Sequence, residues 1–368
     1  MSQILYDKTI DVGKQYELYK YPVAILSYST IDMTNYLWTG QQNCYDQDGN
    51  IVSCQNTGQD AEFQTGLIGP EKRFVVYGEL VLDNLTGFQW LKDANPGEYP
   101  VTWQEALDYI SQMNNEKVEG RTDWRLPNRR ELRSLMAFET RKPALPEDHP
   151  FENVFLNWYW TSTTASINAK YAWSIHMEGA RMFFGRKDQY YLFWPVCGQG
   201  KGVLSSTGQQ KCSDEKGIEI ICKGTRQDGD LQIGTTWPKP RFNVDETFVL
   251  DKLTGLFWLK NADITSKKLD WAEALYYVKK LALDISENFL RLRLPTINEL
   301  ESLIDCSQHS PALPANHPFV NIRDVYWSST TSFFDPAWAW ALYLNKGATG
   351  VGYKKQKGFH LWPVASKV

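Results

Sequence analysis

Long apolar runs are missing from this 368-residue chain. No run of about 18 apolar residues occurs, so no helix of it is expected to span a membrane. An excess of basic charge is missing too. Lys and Arg number 39 against 43 Asp and Glu, for a net charge of −4, which removes the positive field that nucleic-acid binders carry. The opening MSQILYDKTIDVGK has neither the basic start nor the apolar stretch of a signal peptide; export by another route, or a signal already removed, is the expectation. No Gly-x-Ser-x-Gly, no His-Glu-x-x-His and no phosphate-binding glycine loop is present, and no spacing singles out a pair of carboxylates. No catalytic residue, cofactor or metal site is therefore assigned, and an enzyme is not expected.

One sentence, by contrast, is present twice. TGQQNCYDQDGN at Thr39 leads through VLDNLTGFQWLKDAN, WRLPNRREL, PALPEDHPF and YWTSTT to LFWPV, ending at Val196. TGQQKCSDEKGI at Thr207 leads through VLDKLTGLFWLKNAD, LRLPTINEL, PALPANHPF and YWSSTT to HLWPV, ending at Val364. Gly87 matches Gly255 and Pro127 matches Pro295, each pair 168 residues apart. The offset slips to 167 at Trp160/Trp327 and returns to 168 at Trp194/Trp362. A register kept over this length means two copies of one domain, each of about 165 residues and able to bury its own core. The division read from the repeat is an N-terminal extension 1–38, a first domain 39–198, a linker 199–206 and a second domain 207–368. The extension alternates well enough for two strands, as an edge hairpin or an attachment element.

Four of the six cysteines fall in equivalent pairs, Cys44/Cys54 and Cys212/Cys222, each bracketing a hairpin turn at Gly49 or Gly217. That places the partners opposite one another, and both pairs are read as disulfides, which form outside the reducing cytosol. The alternative is two reduced pairs. Zinc is disfavoured by the nine-residue spacing without a nearby His. Asp46-x-Asp48-Gly49-Asn50 resembles a calcium loop but lacks the downstream bidentate Glu, so a turn is expected. Cys197 and Cys306 are not equivalent; they are either free thiols or a link between the domains.

The rest of each copy reads as α+β. A hairpin turns at Leu-Thr-Gly before Trp90 or Trp258. A helix is capped by Thr102 and Glu105, or Asp270 and Glu273, with a stripe from Trp103 to Met113 or Trp271 to Leu281. A second helix follows Pro127 or Pro295, capped by Asn128/Glu131 or Thr296/Glu299. Arg125 and Arg293, each six residues before a Glu, read as structural ion pairs, and His149 and His317 as hydrogen-bonded loop residues. The aromatics Trp158, Tyr159, Trp160, Trp173 and Trp194 read as core.

The copies disagree mainly in the last third, around 164–170, 178–190, 331–337 and 345–358. Candidate ligand contacts there are His176, Glu178, Arg181, Phe183, Phe184, Arg186, Lys187 and Tyr190 in the first copy. In the second they are Phe333, Phe334, Asp335, Asn345, Lys346, Tyr353 and Lys354.

Together, Thr86-Gly87 with Trp90, the Trp-x-x-Ala-Leu helix, Trp-Arg-Leu-Pro-x-x-x-Glu-Leu and Tyr-Trp-Ser-Ser-Thr resemble the Lcl C-terminal domain, which ends a collagen-like bacterial adhesin. The resemblance covers about residues 40–197 and 207–366. It implies two tandem C-type lectin-like domains, each with two helices packed on a mainly antiparallel twisted sheet. It also implies surface or secreted proteins that bind glycans or other macromolecules, often as oligomers, with sulfated polysaccharides as the adhesin's ligand class. This chain departs from the family in having Arg291-Leu292 where the first copy has Asp123-Trp124, and in reading ALDYI with LFWPV and ALYYV with HLWPV where many relatives carry a cysteine in the first helix and another in the last strand, so that internal disulfide is not expected. The Glu-Pro-Asn, Gln-Pro-Asp and Trp-Asn-Asp strings of calcium-dependent lectins are absent as well. The negative net charge weakens polyanion binding, although Arg181, Arg186 and Lys187 offer a local basic patch.

The expected function is therefore non-enzymatic recognition of a glycan or protein ligand at the cell surface or outside the cell. Two sites would act with avidity if the linker lets both engage. The alternatives are a structural subunit of a surface filament, sheath or phage particle, assembled as a homo-oligomer, and, more remotely, a relative of the formylglycine-generating oxidases that share the lectin-like fold. No nucleic-acid partner is expected.

Overall fold

A computed structural model of the chain describes residues 36–284 and 290–367; the strands expected before Tyr36 lie outside the described residues. The first copy runs β1 (Cys44–Tyr45), β2 (Ile51–Val52), α1 (Asp60–Phe63), β3 (Phe74–Tyr77), β4 (Leu80–Asp83), β5 (Gln89–Leu91), α2 (Trp103–Glu116), α3 (Arg129–Ser134), β6 (Trp158–Thr164), β7 (Tyr171–His176), β8 (Arg181–Arg186) and β9 (Val196–Cys197). The second repeats it as β10 (Cys212–Ser213), β11 (Glu219–Ile220), α4 (Asp228–Leu231), β12 (Phe242–Val244), β13 (Phe248–Asp251), β14 (Leu256–Leu259), α5 (Trp271–Asp284), β15 (Leu290–Arg293), α6 (Ile297–Ser302), β16 (Val325–Thr331), β17 (Trp338–Tyr343), β18 (Ala348–Tyr353) and β19 (Val364–Lys367). Few helices and several antiparallel sheets make this a mixed α and β architecture.

The local signals act as their chemistry requires. Thr102 and Glu105 close a capping box on α2, and Asn128 with Glu131 and Thr296 with Glu299 do so on α3 and α6. Arg125 and Arg293 pair with those same glutamates at 2.6 and 2.5 Å, fully buried, so each Glu caps its helix and neutralises an Arg at once. Tyr159, Trp160, Trp173 and Trp194 are core, whereas Trp158 is only half-buried. His149 and His317 stack on Phe151 and Phe319 with ring centroids 6.0 and 5.9 Å apart. Both cystines form, Cys44–Cys54 and Cys212–Cys222, with Cα atoms 5.2 and 5.1 Å apart. Cys197 and Cys306 are free, buried thiols, and burial pushes both up to about 11.

The two copies are joined in two ways. First, a six-stranded sheet runs through both, in the order β16-β17-β18-β8-β7-β6. Its seam pairs Thr349 with Met182, which are equivalent positions 167 residues apart, so a pseudo-twofold axis passes through the seam.

Second, the opening segment of each copy packs on the other copy. The Gln41 amide donates to Thr331 O at 2.6 Å and accepts from Thr331 N at 3.0 Å. The Gln209 amide donates to Thr164 O at 3.0 Å. Asp60, at the start of α1, accepts from Thr330 Oγ1 at 2.5 Å, and Asp228, at the start of α4, accepts from Thr163 Oγ1 at 2.6 Å. Each cystine hairpin thus serves the domain of the other copy. Residues 199–206 hold this geometry, with Lys201 N donating to Thr86 O at 2.7 Å and Ser206 N to Thr235 O at 3.0 Å. They act as a strap rather than the loose linker that independent, avid domains would need.

Asp60 and Asp228 are 0% and 1% exposed, and the second carboxylate oxygen of each has no partner. Burial pushes Asp60 up to about 7 and Asp228 up to about 6. A carboxyl whose folded pKa exceeds its unfolded value adds stability that is full below about pH 4 and is lost as pH rises through the folded value. The parent should therefore lose stability from these groups between about pH 4 and 7. In the double variant Asp60→Asn/Asp228→Asn that part of the slope should vanish, read from urea unfolding at pH 4.5 and 7.5. An unchanged slope would show that these carboxyls are ionised in the fold.

Candidate functional site

Positions where the copies disagree converge at the seam. The turn between β7 and β8 carries Glu178 and Gly179 and meets the 332–337 loop of the second copy. Gly179 lies so close to the Phe334 ring that a Cβ added there would stand 3.4 Å from it, and its φ of +72° suits glycine. Arg141 Nη1 donates to Phe334 O at 3.4 Å, and Lys142 reaches Glu178 at 3.0 Å. The Lys142 contact holds the Glu178 carboxyl below the usual carboxylate range. Between these walls lies a cleft of about 360 Å³ lined by Glu178, Arg181, Ser332, Phe334, Asp335, Trp338 and Val351, within the usual size of ligand clefts.

Phe334, 49% exposed, is its apolar platform. Glu178 and Asp335 supply acceptors and Arg181 a donor fork. Trp338 packs on Tyr353 with centroids 5.7 Å apart, which backs the cleft with a rigid aromatic pair. His176 sits behind the wall: its ring meets Trp158 at 5.0 Å and Nδ1 accepts from Glu178 N at 3.0 Å. Burial, with Arg181 adding to it, keeps His176 below its ordinary value.

Glu178, Arg181, Phe334 and Asp335 are thus brought together, from two copies, into one site. The remaining candidates are not. Phe183 stacks on Phe184 at 4.5 Å and carries Lys346 5.9 Å from its centroid. Phe333 is half-buried, and Asn345 holds Ser310 N on its backbone carbonyl at 2.9 Å. Arg186 pairs with Asp188, and Tyr190 is 66% exposed on the next turn.

Lys187 and Lys354, expected among the exposed contacts, are 1% and 0% exposed instead. Each ammonium lies over a tryptophan, Trp103 at 3.9 Å and Trp271 at 4.0 Å. Each also donates to carbonyls of the exchanged hairpin, Ser213 O at 3.0 Å for Lys187 and Asp46 O at 3.2 Å for Lys354. Burial pushes both ammonium groups down to about 7. They are pins of the exchange, and Lys187 leaves the basic patch to Arg181 and Arg186. Trp338 and Val351 were not among the sequence candidates; Trp338, directly after the divergent 331–337 loop, was the available signal.

Among the described residues, no group of three or more His, Cys, Asp or Glu is placed to hold a metal ion, and no helix is long and apolar enough to cross a membrane. A sequence model of the Lcl C-terminal domain matches residues 79–197 and again 247–365, well over half of the chain. Both matches begin after the exchanged cystine segments. No curated protein matches the chain.

Proposed function

Since the chain belongs to the Lcl C-terminal domain family and carries two such domains, we propose that it is a non-enzymatic recognition protein of the extracellular or cell-surface space. Its domains are variants of the C-type lectin-like fold, and its ligand, a glycan or a protein, binds in the cleft at the seam. The observation that carries this reading is the convergence of Glu178 and Arg181 from one copy with Phe334 and Asp335 from the other. An exposed aromatic beside a guanidinium is a combination enriched at recognition surfaces, and the two carboxylates add hydrogen-bond acceptors. The two cystines support an oxidising compartment. Because the two copies build one cleft, binding there is a property of the pair and not of either domain.

A glycan and protein array on the full chain tests this. The ligand selected by the parent should lose at least about tenfold in affinity, about 1.4 kcal/mol, on Phe334→Ala or Asp335→Asn. Tyr190→Ala should leave it unchanged. An array without a ligand, or a ligand indifferent to both cleft variants, would refute the assignment.

A further inference from the structure

A second concavity shares no residue with the cleft. It lies between residues 206–210 and the loops 236–244, 305–308 and 314–318, and encloses about 670 Å³. Trp237 and Asp305 meet in it. Both stand within 3 Å of where a Cβ of Gly208 would be, Asp305 Oδ1 at 2.4 Å and Trp237 Cη2 at 2.9 Å. Gly208 has φ +88°, so the close approach depends on glycine in both space and backbone conformation.

The Trp237 ring is held firmly. Its Nε1 donates to Ser206 O at 2.9 Å, and the Arg241 guanidinium covers one face at 4.6 Å. Arg241 is itself fixed by Asp251 at 2.9 and 2.7 Å and by Ser302 O at 2.8 Å. Asp305 is 7% exposed and accepts from Ser307 N and Oγ, both through Oδ1. The exposed amides of Gln210, Gln232 and Asn316 stand around the rim.

These features belong to the second copy. The first has Gly69 where Trp237 stands and Ala137 where Asp305 stands. Its Glu139, at the position of Ser307, lies on the backbone of Gln42 and Asn43 at 2.6 and 2.8 Å.

We infer that this groove binds a neutral saccharide of one or two rings, with a sugar C–H face on the part of the Trp237 indole that lines the groove and hydroxyls on Asp305 and the rim amides. The inference rests on the reading of the chain as a recognition protein and adds a site to it. Amides both donate and accept, as hydroxyls do, which suits them to a polyol. Arg241 is neutralised by Asp251, and Lys239 balances Asp305, so the lining offers no net charge to an ionic ligand. A rigid aromatic needs no ordering on binding.

The probes are maltose, cellobiose, lactose and diacetylchitobiose, titrated to about 10 mM into the full chain by calorimetry, with saturation-transfer NMR as a second readout. At least one should bind, and Trp237→Ala and Asp305→Asn should each weaken it at least about tenfold. Trp237→Phe, which keeps a stacking face, should retain part of the affinity and serves as the folding control. Phe334→Ala should leave saccharide binding intact, which separates failure of the groove from failure of the cleft. No binding by any of the four, equal binding to Trp237→Ala and the parent, or preference for a sulfated disaccharide over its neutral form would overturn the assignment.

Discussion

Glu301→Gln should destabilise the protein by about 3 kcal/mol, although the substitution changes almost no shape. Glu301 lies on α6 and faces α3 across the pseudo-twofold axis. It meets Arg129 Nη2 at 3.2 Å and Arg133 Nε at 2.9 Å, with side-chain exposures of only 11, 4 and 9%. Arg130 stands beside them and has neutral partners only: Ser205 Oγ at 2.8 Å, Ile304 O at 2.8 Å and Ser302 O at 3.4 Å. Arg129 is further held over Trp173 at 4.0 Å, and its Nη1 has no hydrogen-bond partner. Removing the carboxylate that Arg129 and Arg133 share leaves buried guanidinium charge uncompensated, the costly way of breaking a buried pair. Buried charges are weakly screened, so added salt should not restore the loss. Glu219→Gln, which breaks the exposed Lys211–Glu219 pair, is the control and should fall within experimental scatter. The readout is the denaturant midpoint; a loss below about 1 kcal/mol for Glu301→Gln would show that the arginines are held by their neutral partners alone.

Arg133 and Glu301 are themselves equivalent positions, 168 residues apart, and the pair bridges the axis. Two first copies would place Arg against Arg there, and two second copies Glu against Glu. The unlike pair therefore favours a chain that closes on its own second copy over one that exchanges segments with a like copy elsewhere.

Much of this local structure is visible in the residues. Thr102 with Glu105, or Arg125 with Glu131, sit within a few positions of one another, so spacing alone determines which groups meet. The cystine hairpins are legible for the same reason. The exchange is not. Asp60 would satisfy a threonine hydroxyl equally well in its own copy or in the other, since Thr163 and Thr330 are equivalent and the repeat makes both partners look alike. Lys187 and Lys354 were misplaced because they sit among divergent polar residues that belong to the surface. Their one distinguishing mark is that both copies keep Lys at the same position while its neighbours change. Trp237 escaped notice because its neighbours Thr235, Thr236, Lys239 and Pro240 also differ from the first copy, and only alignment against Gly69 exposes it. The cleft was half visible: its residues were named, but spacing within one copy cannot show that Glu178 and Phe334 face each other.

Cutting the chain between its copies should leave the two halves together. A protease site inserted between Lys201 and Gly202, in the exposed part of the strap, gives fragments covering 1–201 and 202–368. In a plain tandem, cleavage would release two folded domains. Here the fragment with the first copy carries Gln41, Asp60 and the Cys44–Cys54 hairpin, which fill the second domain. The other carries Gln209, Asp228 and the Cys212–Cys222 hairpin, which fill the first. Separation would strip two carboxylates and two lysines of partners that lie in the other fragment, and would open the Met182–Thr349 seam. Each group left buried without its partner costs about 1–3 kcal/mol. Summed over both joints, this should hold the fragments together with a Kd below about 1 μM, about −8 kcal/mol or tighter. Size-exclusion chromatography and native mass spectrometry of the cleaved protein should show a single species at the parent's mass that resolves only in denaturant. Reduction should not release them, because both cystines lie within a fragment. Two separately eluting, folded fragments would mean that each cystine hairpin folds back onto its own copy.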